Sequence, residues 1–202
     1  MHHPCAAPRS RCGRPRGFSR RPPAPSGARH RTDRGTSSAY HSAQPDGEDD
    51  VARSSLIPEA HLLLFRNDEV LLLLRQNTGY EDGRYSVVAG HVEPGETALD
   101  GMRREAEEEA GLILTREQLR LCHVIHRRTD AERISLFFTA DDWRGEPRNN
   151  EPQKCGDLSW FPLDALPHNM IPYVRQAIQE TLRGTVYSEH GWTESSVSAA
   201  LS

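Results

Sequence analysis

Between Pro94-Gly95 and Gly111 lies a stretch that can fold in very few ways. Thr97 suits an N-cap, because its hydroxyl can accept from a free amide of the first helical turn. Asp100 stands at the third helical position, in a near capping-box arrangement. Gly111 supplies the left-handed residue at which helices stop. Leu99, Met102, Ala106 and Ala110 step by three and four, forming one narrow apolar stripe. The spacing predicts a helix over Thr97–Ala110 with one face on a core.

The acids of this helix do not serve its stability. Glu105, Glu108 and Glu109 occur at i, i+3 and i+4, so their carboxylates share one face. Like charges at that spacing cost about 0.2–0.5 kcal/mol per pair. A hard divalent cation turns the repulsion into ligation. Mg²⁺ accepts carboxylate oxygens, keeps several waters and bridges to substrate phosphates. Glu96 precedes the helix and lies within reach of the same face. On spacing alone, a metal site and a solvated acidic face both remain open.

The rest of the domain reads as mixed α/β, in the order β-β-β-α-β-β-β-α. Ala60–Phe65 and Glu69–Arg75 flank Asn67-Asp68 and read as a β-hairpin. Asn77–Arg84 is a polar loop, and Tyr85–Ala89 a short strand. Leu121–Arg128 and Arg133–Ala140 are strands about a turn. Asp141–Asp157 is a long polar loop before a short strand at Leu158–Phe161. Pro172–Arg183 is an amphipathic helix with Pro in its first turn and Gly184 after its end. Thr193–Ser202 is expected to fray. His123 and His126 differ by three on a strand, so they point to opposite faces and form no ligand pair. Of Phe137 and Phe138, adjacent on one strand, only one is expected to face the core.

The first fifty residues differ from the remaining chain. Met1–Asp50 carries nine Arg, no Lys and five acids, a net +4 in a 202-residue chain of net −4, which leaves −8 for the rest. Seven of the 14 Pro lie here and large apolar residues are sparse, so residues 1–50 are expected to be disordered. Three readings stay open: an Arg-rich arm for an acidic surface, a mitochondrial transit peptide, and a nonfunctional extension with a true start near Val51. The folded domain is expected over 51–192, with a disordered tail at 193–202. No apolar run approaches the ~20 residues that span a bilayer, so no membrane partner is expected. Cys5, Cys12, Cys122 and Cys155 form no CxxC pair, which points to a reducing, cytoplasmic setting.

The helix and its flanks carry a resemblance. Gly90, five residues, Glu96, seven residues, Arg104-Glu105-Ala106, one residue, Glu108-Glu109, one residue, then Gly111-Leu112 resembles a complete Nudix box. The resemblance implies an α/β/α sandwich around a mixed sheet, and metal-dependent cleavage of a nucleoside diphosphate linked to another group. It implies Glu105, Glu108 and Glu109 as Mg²⁺ or Mn²⁺ ligands, one of them a possible general base. By the same resemblance Glu96 supports the metal shell, Gly90 offers its carbonyl and permits a tight loop, and Arg104 orients the carboxylates by a salt bridge. Many members carry two glycines where this chain has Ala89-Gly90.

Substrate marks of several subfamilies are missing. A Pro shortly after the box, usual for ADP-ribose cleavage, is absent. So is the Tyr usual for dinucleoside polyphosphates, and so are the NADH-type and coenzyme-A-type segments. The sequence is most similar to the MutT-like branch, which implies a (deoxy)nucleoside triphosphate, canonical or oxidised, split to monophosphate and pyrophosphate. A nucleotide sugar or other nucleoside diphosphate conjugate is the alternative. A non-catalytic nucleotide sensor is a third, against which the four intact box glutamates stand. Glu151 is a further metal-ligand or base candidate. Tyr80, Arg75 and His91 are candidates for substrate contact, and Phe138, Trp143 and Trp160 are weaker stacking candidates. A small-molecule nucleotide is the expected partner, nucleic acid is not, and the chain is expected to be a monomer or homodimer.

Overall fold

The computed structural model describes residues 55–192. The expectations of a disordered extension and tail lie outside the described residues. Nine strands and two helices follow in chain order: β1 (Ile57–Leu62), β2 (Phe65–Arg66), β3 (Glu69–Arg75), β4 (Tyr85–Ser86), β5 (Val88–His91), α1 (Ala98–Ala110), β6 (Leu119–Arg128), β7 (Glu132–Ala140), β8 (Cys155–Pro162), α2 (Pro172–Arg183) and β9 (Tyr187–His190). A 3₁₀ turn at Arg116–Gln118 leads into β6.

The strands form two sheets. One has the order β5-β1-β7-β6-β9, with β1 antiparallel to β5 but parallel to β7, and β6 parallel to β9. The other is centred on β3, which pairs antiparallel with β2, β4 and β8. Ala60 and Leu62 pack with Met102, Ala106 and Ala110 of α1 in one core cluster. Ile125 and Phe137 pack with Val174, Ala177 and Ile178 of α2 in a second. The five-stranded sheet therefore has a helix on each face, the expected sandwich. Each buried Leu or Ile side chain contributes roughly 1.5–3 kcal/mol.

Helix ends follow local chemistry. Thr97 Oγ1 accepts from the Asp100 amide, and Gly111 and Gly184 close their helices in the left-handed conformation. The sheets depart from expectation in five places. The hairpin shrinks to β2–β3, because β1 leaves it for the other sheet. Tyr85–Ala89 is not one strand: Tyr85-Ser86 pair with β3, whereas Val88–His91 pair with β1. Phe137 and Phe138 are both buried, because the sheet has a core on each face. Strand β8 begins three residues early, at Cys155, and β9 was not foreseen. Its residues alternate between exposed and half-buried and carry no apolar run.

Candidate functional site

A cleft of about 600 Å³ crosses the edge strand β5, with α1 at one end and the opposite face of β1, β6 and β7 at the other. Glu105, Glu108 and Glu109 reach it from α1, and Glu151 reaches it from the loop before β8. Four carboxylates from segments about forty residues apart in the chain thus line one cleft.

Arg104 organises the helix end of this group. Its Nη1 donates to Glu105 Oε1 at 2.6 Å and Glu108 Oε2 at 3.3 Å. Its Nη2 donates to Glu96 Oε1 at 2.8 Å and to the His91 carbonyl at 3.1 Å. Hydrogen bonding to Glu96 is the main cause that raises its already high pKa. Neither Arg104 nor Glu96 lines the cleft; they stand behind the carboxylates that do.

Glu109 lies deepest. Its Oε2 accepts the Ala89 amide at 3.0 Å. Burial pushes its carboxyl up to about 8, and Glu105 and Glu151 push in the same direction. Burial also raises Glu105, with Glu108 and Glu151 adding to it and Arg104 opposing. Glu151 Oε1 accepts from Lys154 Nζ at 2.8 Å.

Gly90 differs from expectation. It lies within β5, opposite Ala60, and not in a tight loop. Glycine is needed there because the Glu105 carboxylate occupies the space a Cβ would take. Ala89 sits in the same strand and spends its amide on Glu109.

The donor set suits a hard divalent cation, which would relieve the mutual repulsion of Glu105, Glu109 and Glu151. Among the described residues no three His, Cys, Asp or Glu side chains already converge on one point. Each carboxylate is engaged elsewhere: Glu105 and Glu108 with Arg104, Glu109 with the Ala89 amide, Glu151 with Lys154. Each contact takes one of the two carboxylate oxygens, so none of them bars a cation.

All three substrate-contact candidates line the cleft. Arg75 is committed to its own loop: Nε donates to the Tyr80 carbonyl at 2.9 Å and Nη2 to Thr78 Oγ1 at 3.0 Å. It therefore shapes the loop that presents Tyr80. His91 is exposed, and its ring reaches Arg133 Nη1 at 3.3 Å. The weaker aromatic candidates lie elsewhere, Phe138 in the core and Trp143 stacked on Trp160 under Arg66.

The far end of the cleft holds residues that the sequence did not flag. Glu59, 7% exposed, accepts from Arg127 Nη2 at 2.6 Å, Ser135 Oγ at 3.1 Å and Arg133 Nη1 at 2.9 Å. Burial alone would raise its carboxyl, but the charges of His61, Arg127 and Arg133 outweigh it and hold the group below the usual range. His61 stacks on Phe137 and reaches the Tyr173 hydroxyl at 3.2 Å through Nε2. The available signal was Glu59 and His61 alternating with Ala60 and Leu62 on an inner strand, an inward carboxylate and imidazole that demand partners.

Burial lowers the His61 pKa to about 4, Glu59 opposing and Arg127 and His91 assisting. The unfolded chain binds this proton near 6.5 and the folded one does not, so stability is full above pH 6.5 and falls as pH drops toward 4. Glu109, raised to about 8, acts in the opposite direction over the same range, so the native protein alone does not isolate the loss. The difference between urea melts of the native protein and of His61→Phe, followed from pH 7 to 4.5, is expected to show it, about 3 kcal/mol at most; a pH-independent difference would assign the proton uptake elsewhere.

Among the described residues, no helix is long and apolar enough to cross a membrane. The chain is 34% identical over 116 residues to an NAD-capped RNA hydrolase NudC from Chromobacterium violaceum, covering 57% of this chain and 42% of that one. It is 30% identical over 108 residues to an oxidized purine nucleoside triphosphate hydrolase from Mus musculus, covering 52% and 67%. It thus spans about two-fifths of the length of the NudC relatives it matches. Among solved structures, a MutT NUDIX hydrolase from Burkholderia pseudomallei superposes with a TM-score of 0.57 at 26% identity, over 62% of this chain and 97% of that one. The NUDIX domain family matches residues 56–181, from β1 to the last turn of α2. A match of that extent means that this chain belongs to the Nudix family.

Proposed function

We propose that this domain hydrolyses a nucleoside diphosphate linked to another group, with a (deoxy)nucleoside triphosphate, canonical or oxidised, as its first substrate class. The observation that carries the reading is the gathering of Glu105, Glu108, Glu109 and Glu151 along one wall of a nucleotide-sized cleft, with Arg104 behind them. The relative from Mus musculus, an oxidized purine nucleoside triphosphate hydrolase, supports it.

Glu105, Glu108, Glu109 and Glu151 would hold Mg²⁺ or Mn²⁺, which supplies neutralisation of phosphate charge and a more acidic bound water. Arg104 fixes the rotamers of Glu105 and Glu108 and shields their charges from each other. Lys154, on the cleft wall beside Glu151, adds a mobile positive charge for phosphate oxygens. A carboxylate of this set left free of metal accepts the proton of the attacking water. Tyr80, half-exposed at the cleft mouth, offers a face for stacking.

The NudC relatives favour a second reading, a larger nucleoside diphosphate conjugate. Product analysis by mass separates the two. The full chain is offered canonical and oxidised triphosphates, nucleotide sugars, ADP-ribose and an NAD-capped RNA fragment, with Mg²⁺ or Mn²⁺. Monophosphate with pyrophosphate from a triphosphate supports the first reading. Cleavage confined to conjugates supports the second, and binding without any cleavage refutes both.

Gly90→Ala is expected to lower kcat at least about tenfold, since the new methyl displaces the Glu105 carboxylate. The displaced group is the end of a flexible side chain, so the melting temperature should move by only a few degrees. Unchanged kcat would mean that the position of Glu105 does not matter.

A further inference from the structure

The segment from Arg148 to Cys155, with Glu151 in its middle, is fixed from two sides. On one side it closes the carboxyl end of α1. A helix leaves its last four carbonyls without partners, and α1 has no basic side chain in its last turn to meet them. Three of those four accept from the loop. The Arg148 amide donates to the Ala110 carbonyl at 2.9 Å, the Asn150 amide to Glu109 at 3.1 Å, and Asn150 Nδ2 to Glu107 at 3.1 Å. On the other side the loop is joined to the end of β3. Gln76 Nε2 donates to the Pro152 carbonyl at 2.7 Å, Asn77 Nδ2 to Gln153 at 3.1 Å, and the Gln76 amide to Lys154 at 2.8 Å.

Within the loop the Asn149 side chain both accepts and donates. Its Oδ1 accepts the Glu151 amide at 3.2 Å, and its Nδ2 donates to the Cys155 carbonyl at 2.7 Å. The Lys154 and Cys155 amides donate to the Glu151 carbonyl, both at 2.9 Å. The backbone of Glu151 is therefore held at its amide and at its carbonyl. Neither asparagine lines the cleft, whereas Glu151 does, with Glu105 and Glu109. Asn150 is exposed, yet both its amides are spent on the end of α1.

We infer that Asn149 and Asn150 are positioning residues for the cation site: they lock the loop onto the Glu107–Ala110 end of α1 and so set the reach of Glu151 toward the α1 glutamates. This rests on the reading of the carboxylate wall as the holder of a divalent cation. Groups that orient a metal ligand typically carry about 10–100-fold of the metal affinity.

The test uses the full chain and Mn²⁺ alone, titrated by electron paramagnetic resonance. Asn150→Ala and Asn149→Ala are each expected to weaken Mn²⁺ binding about tenfold. In a Glu151→Gln background the same substitutions should weaken it less than twofold, because the carboxylate they position is gone. Without metal, Asn150→Ala is expected to speed amide hydrogen exchange across residues 148–151 at least about tenfold. Its melting temperature should stay within about 5 °C of the native one. Should Asn149→Ala fail to fold, Asn150→Ala decides alone. Native Mn²⁺ affinity in the variants, an equal loss with and without the Glu151 carboxylate, or unchanged exchange would overturn the inference and leave the asparagines as caps of α1. No Mn²⁺ binding by the native chain, or binding unaltered by Glu109→Gln, would remove the cation reading and this inference together. Coupling of Asn150 to Glu151 without turnover of any nucleotide would sink the hydrolase reading and leave this one standing.

Discussion

Glu109→Gln is expected to cut turnover about a thousandfold while the domain stays folded. Glutamine keeps the volume, and its carbonyl can still accept the Ala89 amide that Glu109 takes at 3.0 Å. What disappears is a negative charge at the deepest point of the carboxylate wall. Without metal that charge is largely absent already, because burial first, and Glu105 and Glu151 after it, push the carboxyl up to about 8. The metal-free variant should therefore melt no lower than the native protein. The difference appears when the cation is added: Mn²⁺ or Mg²⁺ should raise the native melting temperature by mass action and the variant's far less. Glu108→Gln provides the comparison. Glu108 is half-exposed and bonded to Arg104, and its loss should also cost turnover by orders of magnitude. Near-normal rates in both variants would place the cation elsewhere.

The second large effect is on stability. Arg127→Met should destabilise the domain by about 3 kcal/mol or more, lowering its melting temperature by roughly 10 °C. Arg127 is 1% exposed and lies over the Tyr173 ring. Removing it leaves Glu59 buried with only Arg133 and Ser135. The penalty comes from the abandoned carboxylate and not from a lost attraction, so removing both partners should recover much of it. The double variant Glu59→Leu/Arg127→Met is predicted to melt above Arg127→Met alone. Additive losses in that cycle would show that the pair is not coupled as its 2.6 Å contact indicates.

These two residues mark what the sequence discloses and what it hides. Glu109 was legible because helices make spacing visible: three glutamates at i, i+3 and i+4 share a face wherever the helix packs. Thr97, Gly111, Pro172 and Gly184 placed the helix ends for the same local reason. Arg127 was not legible, because an arginine in a strand looks like any solvated residue until another strand covers it. Strand pairing hid the rest. Leu62 and Leu64 continue one apolar run in the sequence, yet β1 pairs with Phe138 and its neighbours about 75 residues onward, not with the strand next to it. Val87 separates two strands of different sheets within five residues. Such choices depend on the whole core. Glu151 was named as a ligand or base candidate by resemblance, while its spacing alone left it a loop acid.

The parallel pairing of β1 with β7 also sets when the domain can exist at all. Glu59 and His61 emerge among the first residues of the domain, but Arg127, Arg133 and Ser135 follow some 70 residues later, and Tyr173 later still. On the ribosome, β1 has no neighbour on that side until β7 has been made. Long-range closure of this kind makes the folding step late and slow, after most of the chain has been made. A nascent chain arrested before β7 would carry the complete set of box glutamates and no cleft to put them in.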